Sequence, residues 1–221
     1  MCTQLAGKGS WFLPLNRGWN DGAGNPPNPY GLKTDYLWKR ILTPAGLTNL
    51  IENYAQIVTV KNPKTGRKKH TQIFPRYHQL DAVREIVASC REKGAGTHYL
   101  VQHSAGSGKS NSIAWLAHRL ASLHNDQDQK VYDGVVVLTD RRVLDQQLQN
   151  TIFQFDHKRG VVQRIREGHV KSDQLAAALK DNAPIIICTL HSFGFVADKL
   201  DALPDRKYAV LVDEAHSSQG G

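Results

Sequence analysis

Cysteine, methionine and long apolar runs are what this 221-residue chain has least of. Its three cysteines, Cys2, Cys90 and Cys188, are odd in number and far apart, which argues against a disulfide framework. Cys90 falls on an apolar helical face and Cys188 inside a strand, so both read as small core residues. No apolar stretch nears the roughly 18 residues that a membrane helix needs. The N-terminus has no basic start leading into a long apolar core, as a secretory signal would. A cytoplasmic protein without a membrane partner is the expectation. The ten histidines show no metal-ligand spacing, so no zinc site is expected. Acid is also scarce: 20 Asp and Glu stand against 28 Lys and Arg, a formal charge of +8. That excess suits an anionic partner, nucleic acid being the commonest, or equally a basic surface with no partner.

Residues 11–31 are rich in Gly, Pro and Asn and cannot hold a helix or a central strand. They read as an extended connector, residues 1–33, with Trp11, Phe12 and Trp19 as anchors. Thr34 can cap a helix carrying Tyr36, Leu37, Ile41 and Leu42. Thr43-Pro44 is a second helix start, Thr as N-cap and Pro at the first helical position. Leu47, Leu50, Ile51 and Tyr54 then recur at helical spacing. Ile57–Val60 and Thr71–Phe74 flank the turn residues Asn62–Gly66, which predicts a β-hairpin. Lys64, Arg67, Lys68 and Lys69 fall at its tip; such a run is usually a solvated loop, less often a DNA-backbone contact. Residues 34–74 thus form a helical segment plus hairpin.

From residue 75 to 221 the rhythm changes. Helices are expected over 78–92 and 109–123, along Val143 to Ile152 and from Leu175 to Leu179. Between them lie apolar runs that read as strands: near 98–102, at Val135–Leu138, at Ile185–Cys188 and at Val210–Val212. Continuous apolar strands alternating with amphipathic helices predict an α/β fold, a parallel sheet covered by helices on both faces.

Two short segments carry the chemistry. Ala105-Gly106-Ser107-Gly108-Lys109-Ser110, with Ser104 before it, follows the apolar run Tyr99–Val101 and opens a helix. The strict phosphate-loop pattern begins with Gly; here that position is His103, while the Gly-Lys-Ser ending is intact. Gly106 and Gly108 permit backbone conformations closed to residues with a Cβ. Loop N–H groups can then converge on phosphate oxygens at a helix N-terminus. Lys109 is placed to reach the β- and γ-phosphates, and the Ser110 hydroxyl to ligate Mg2+. The second segment is Asp213-Glu214-Ala215-His216, just past the strand Tyr208–Val212. Asp213, at the C-terminal end of a strand, can hold Mg2+. Glu214 can act as general base on the attacking water. His216 is expected to couple the nucleotide site to whatever docks across it.

Phosphate loop plus Asp-Glu-Ala-His resembles the superfamily 2 helicases and translocases. A narrower likeness runs through Phe12–Pro27, Phe74–Asp81, His103–Ile113 and Asp213–Gln219, which resemble the R subunit of type I restriction enzymes. The likeness covers nearly the whole chain. It implies a first RecA-like lobe of a P-loop NTPase over residues 75–221, using ATP and Mg2+ to move double-stranded DNA beside methyltransferase and specificity subunits. It also implies that Gln79 reads the adenine edge, since an amide both gives and accepts hydrogen bonds; a helix-start Gln facing water is the alternative. Thr139, Arg141 and Arg142 match a motif touching the tracked strand, and Thr189 and His191 match another; a solvated helix start fits Arg141 and Arg142 nearly as well, and the same ambiguity holds for the second segment. A complete motor would need a second RecA-like lobe, and the family's nuclease domain would precede the connector. Arginine fingers are worth roughly 10³–10⁵ in rate. The isolated chain is therefore expected to bind ATP and turn it over weakly or not at all. Two other readings stay open: another superfamily 2 helicase or remodeller, and an ATP- and DNA-binding module without turnover.

Overall fold

The computed structural model describes residues 2–4, 11–12, 16–20, 24–61, 65–104, 106–139, 142–155, 160–165, 171–190, 193 and 206–213. It forms two compact units, Met1–Ala82 and Val83–Gly221. No helix among the described residues is long and apolar enough to cross a membrane.

In the first unit, β1 (Cys2–Gln4) and β2 (Trp11–Phe12) pair antiparallel, a short ladder inside the expected connector. Trp19 is 54% exposed and does not anchor it, contrary to expectation. The helix expected after Thr34 widens into a π-helical turn, Leu37–Ile41, closed by Leu42 N–H on the Leu37 carbonyl at 2.8 Å. Ile41 is buried there, whereas Leu42 is exposed. Helix α1 (Pro44–Asn53) starts as its capping residues dictate: Thr43 is extended and its Oγ1 accepts the Gly46 N–H at 3.1 Å. It buries Leu50, with Tyr54 just beyond, while Leu47 and Ile51 stay exposed, a narrower stripe than the spacing predicts. Strands β3 (Gln56–Lys61) and β4 (Lys68–Ile73) make the expected hairpin, in register from Gln56 opposite Ile73 to Lys61 opposite Lys68.

Helix α2 (Tyr77–Lys93) begins in the first unit and ends in the second. Leu80, Val83, Val87 and Cys90 are buried along it, at the spacing of one helical face. The second unit then runs α3 (Lys109–Ala121), β5 (Gly134–Thr139), α4 (Arg142–Gln154), β6 (Val162–Arg164), α5 (Lys171–Lys180), β7 (Ile185–Thr189) and β8 (Tyr208–Val212). Its four strands are all parallel, in the order β6-β7-β5-β8. Every residue of β5 is buried. Successive strand residues point to opposite faces, so an unbroken buried run means that both faces of the sheet are covered there.

Val136, Leu138, Leu175, Leu179, Ile186 and Cys188 belong to one apolar cluster joining β5, β7 and α5. Trp115 of α3 packs on Phe155 just past α4, ring centroids 5.3 Å apart, and His118 Nε2 meets the Ile152 carbonyl oxygen at 3.0 Å. The starts of β5 and β8 are clamped reciprocally. Asp133 N–H donates to the Lys207 carbonyl, and Lys207 N–H donates to the Asp133 carboxylate, each at 2.7 Å. Arg206 and the Tyr208 hydroxyl both donate to the Leu179 carbonyl at the end of α5. Strand β6, three residues long, was not expected from the sequence.

One expected strand is absent. Residues 98–102 form no strand, and Tyr99, Leu100 and Val101 are 39%, 88% and 42% exposed. The apolar run has no strand neighbour among the described residues. The segment is held instead by the Tyr99 hydroxyl, which donates to Ser89 Oγ on α2 at 2.9 Å.

Candidate nucleotide site

A parallel sheet puts the C-terminal ends of its strands along one edge, where loops and helix N-termini collect. Thr139 and Thr189 end β5 and β7 and stand opposite each other in the register. Asp213 follows β8 and extends its pairing with β5: its N–H donates to the Leu138 carbonyl at 2.9 Å. That bond fixes the backbone of Asp213 at the strand tip, so the carboxylate is positioned by sheet pairing and not by a loop.

The phosphate-loop segment reaches the same edge. Gly106 and Gly108 have φ of +72° and +83°, the left-handed region that a Cβ disfavours. Gly108 caps α3, and the N–H groups of Asn111 and Ser112 donate to its carbonyl. A helix start leaves its leading N–H groups without partners inside the helix, with the positive end of the dipole beside them. Lys109 and Ser110 open the helix, both half-buried. The Lys109 ammonium lies 3.1 Å from Asp213 Oδ1, with the Asp213 side chain 12% exposed and that of Lys109 40%. Residues more than a hundred positions apart in sequence thus meet at one point, an ammonium against a largely buried carboxylate.

His103, at the position where the phosphate-loop pattern has Gly, braces the loop. Its Nδ1 lies 3.2 Å from the Ser107 hydroxyl, and Ser107 N–H donates to the Ser104 carbonyl at 3.2 Å. Ser107 is buried and Ser104 exposed. The departure from Gly at 103 was the sequence signal for this contact, and a ring at that position has the reach to span four residues.

Gln79 belongs to the first unit. It is buried, not facing water, and its Oε1 accepts the Arg76 N–H at 2.8 Å. Arg76 immediately precedes α2, so this is the return arm of a capping box, a structural use of the amide that the sequence reading missed. Thr139 is buried, 2% exposed, and Thr189 is half-buried. Arg142 opens α4. Ala105, Arg141, His191, Glu214 and His216 lie outside the described residues.

The gathered groups suit a magnesium-bound triphosphate. A carboxylate and a hydroxyl are hard oxygen donors of the kind Mg2+ takes. An ammonium and a helix N-terminus complement phosphate charge.

Residues 78–221 match the family model described as "SWI2/SNF2 ATPase". The chain is also similar to the "Type I restriction enzyme HindI endonuclease subunit" of Haemophilus influenzae, with 30% identity over 154 residues, 66% of this chain. The matched part is 14% of that relative's length.

Proposed function

The chain belongs to the SWI2/SNF2 ATPase family, and from that premise we propose that it is the ATP-hydrolysing motor portion of a type I restriction endonuclease R subunit. In this reading ATP hydrolysis drives translocation along double-stranded DNA before cleavage, in the cytoplasm, beside methyltransferase and specificity subunits. The observation that carries it is the 3.1 Å approach of Lys109 to Asp213 across the C-terminal edge of a parallel sheet.

Magnesium ATP supplies a phosphoanhydride and a cation that neutralises charge on it. Lys109 holds the β- and γ-phosphate oxygens, exchanging its contact with Asp213 for them. Asp213 and the Ser110 hydroxyl hold Mg2+. Ser104, Ala105, Gly106, Ser107 and Gly108 wrap the phosphates through their backbone, with His103 keeping Ser107 in place. Glu214, adjacent to Asp213 in sequence, takes the proton of the attacking water. Gln79 contributes its amide N–H to adenine, its oxygen being engaged by Arg76. Thr139, Arg141, Arg142, Thr189 and His191 meet the DNA backbone, and His216 couples the two sites.

The test is DNA-stimulated ATP hydrolysis by the full-length protein. Lys109→Ala is expected to abolish it, a loss on the order of 10²–10³-fold or more for removing a donor aimed at developing charge. Unchanged turnover refutes the site assignment.

A further inference from the structure

The hairpin of β3 and β4 carries a charge pattern that the nucleotide site does not use. Between Glu52 and Asp81 the sequence has no acidic residue, yet it has Lys61, Lys64, Arg67, Lys68, Lys69 and Arg76. Among the described positions of the tip and of β4, Arg67, Lys68, Lys69 and His70 are all exposed.

The register sorts the two faces of this ribbon. Alternate residues share a face. Gln56, Val58, Lys69, Thr71 and Ile73 lie on one, and all but Lys69, exposed at its tip end, are buried or half-buried. Ile57, Thr59, Lys68, His70 and Gln72 lie on the other, where all but half-buried Thr59 are exposed. On that outer face Thr59 Oγ1 and His70 Nδ1 are 3.1 Å apart. The outer face therefore presents cationic and hydrogen-bonding groups without one carboxylate.

We propose that the β3–β4 hairpin is a second nucleic-acid contact, gripping the phosphate backbone of duplex DNA through Lys68 and His70 of the outer face and Arg67 and Lys69 at the tip. The choice of DNA over other polyanions rests on the function proposed above. Contact of this kind is independent of base sequence, because phosphate contacts position a protein without reading bases. The hairpin sits in the first unit, outside residues 83–221 that hold Lys109 and Asp213.

The experiment titrates the full chain with a fluorescein-labelled duplex of mixed sequence over a range of salt concentrations, comparing it with Arg67→Gln/Lys68→Gln/Lys69→Gln. Each phosphate contact contributes about 0.9 to the slope of log affinity against log salt, so the triple variant is expected to lose roughly 2.7 from that slope. Affinity at low salt should fall by about tenfold or more. Binding of a fluorescent ATP analogue and the melting temperature should be unchanged. Wild-type binding to duplex with an unaltered slope in the triple variant overturns the hairpin's role alone. Absence of duplex binding by the wild type overturns both this role and the DNA partner. A triple variant that loses phosphatidylserine vesicles but keeps duplex reassigns the ribbon to a membrane surface and overturns the proposal.

Discussion

Val135–Leu138 and Tyr99–Val101 are both short apolar runs, each leading into a segment that the site draws on. The first became β5, flanked by β7 and β8 and buried at every residue. The second formed no strand, and Leu100 is 88% exposed. Their compositions barely differ; their neighbours do. A strand is made by the partners that take its hydrogen bonds and cover its faces, and β propensity measures little else. Lys109 nonetheless reaches Asp213 without a paired strand ahead of its loop, because α3 packs on β5, β7 and β8 and carries the loop with it. Positioning at the site thus comes from the helix after the loop and from the ladder that ends at Asp213.

That contrast can be broken by substitutions. Trp115→Ala, in the packed half, is expected to lower the unfolding free energy by about 3–5 kcal/mol, because a buried ring against Phe155 leaves a cavity. Urea denaturation of the full chain measures it, and a loss near zero would mean that α3 is not anchored by this core. Asp133→Ala should cost about 1.5 kcal/mol, the worth of a hydrogen bond to a charged group. It tests whether the reciprocal clamp with Lys207 holds β8 beside β5, and a thermal melt indistinguishable from wild type would deny that. Thr43→Ala should cost about 1 kcal/mol and Thr43→Gly only a few tenths, since glycine tolerates the cap position. Equal losses for the two would indicate that the Thr43 contact to Gly46 is incidental. Leu100→Ala should change stability by less than about 0.5 kcal/mol, as exposed positions do. A cost rivalling that of Trp115→Ala would show that residues 98–102 are packed after all.

Much of this was legible in the sequence where local chemistry decides alone. Thr43-Pro44 is a cap by its atoms, and the Gly, Pro and Asn of the hairpin turn mark their own place. The runs at 135–138 and 185–188 are apolar on both faces, so each could only be an interior strand. Tyr99–Val101 misled because an apolar run reports what a segment could bury, not whether a neighbour exists to bury it. Strand β6 escaped notice because Val162-Gln-Arg164 is short and only one of its residues is apolar. Gln79 looked like a reader of bases or a solvated amide. Its return bond to Arg76 depends on where α2 starts, and helix boundaries are the weakest part of any sequence reading. The pairing of Lys109 with Asp213 was expected from motif chemistry alone; its distance needed the sheet.

Whether those two side chains serve one ligand is tested most directly by a double-mutant cycle. Isothermal titration of the full chain with magnesium ATP, for wild type, Lys109→Ala, Asp213→Asn and the double variant, yields the coupling. Groups in contact and sharing a ligand should give losses that fall short of additivity by about 0.5–3 kcal/mol, with each single variant markedly weakened. Single variants that bind as tightly as wild type, or losses that simply add, would contradict a shared nucleotide site.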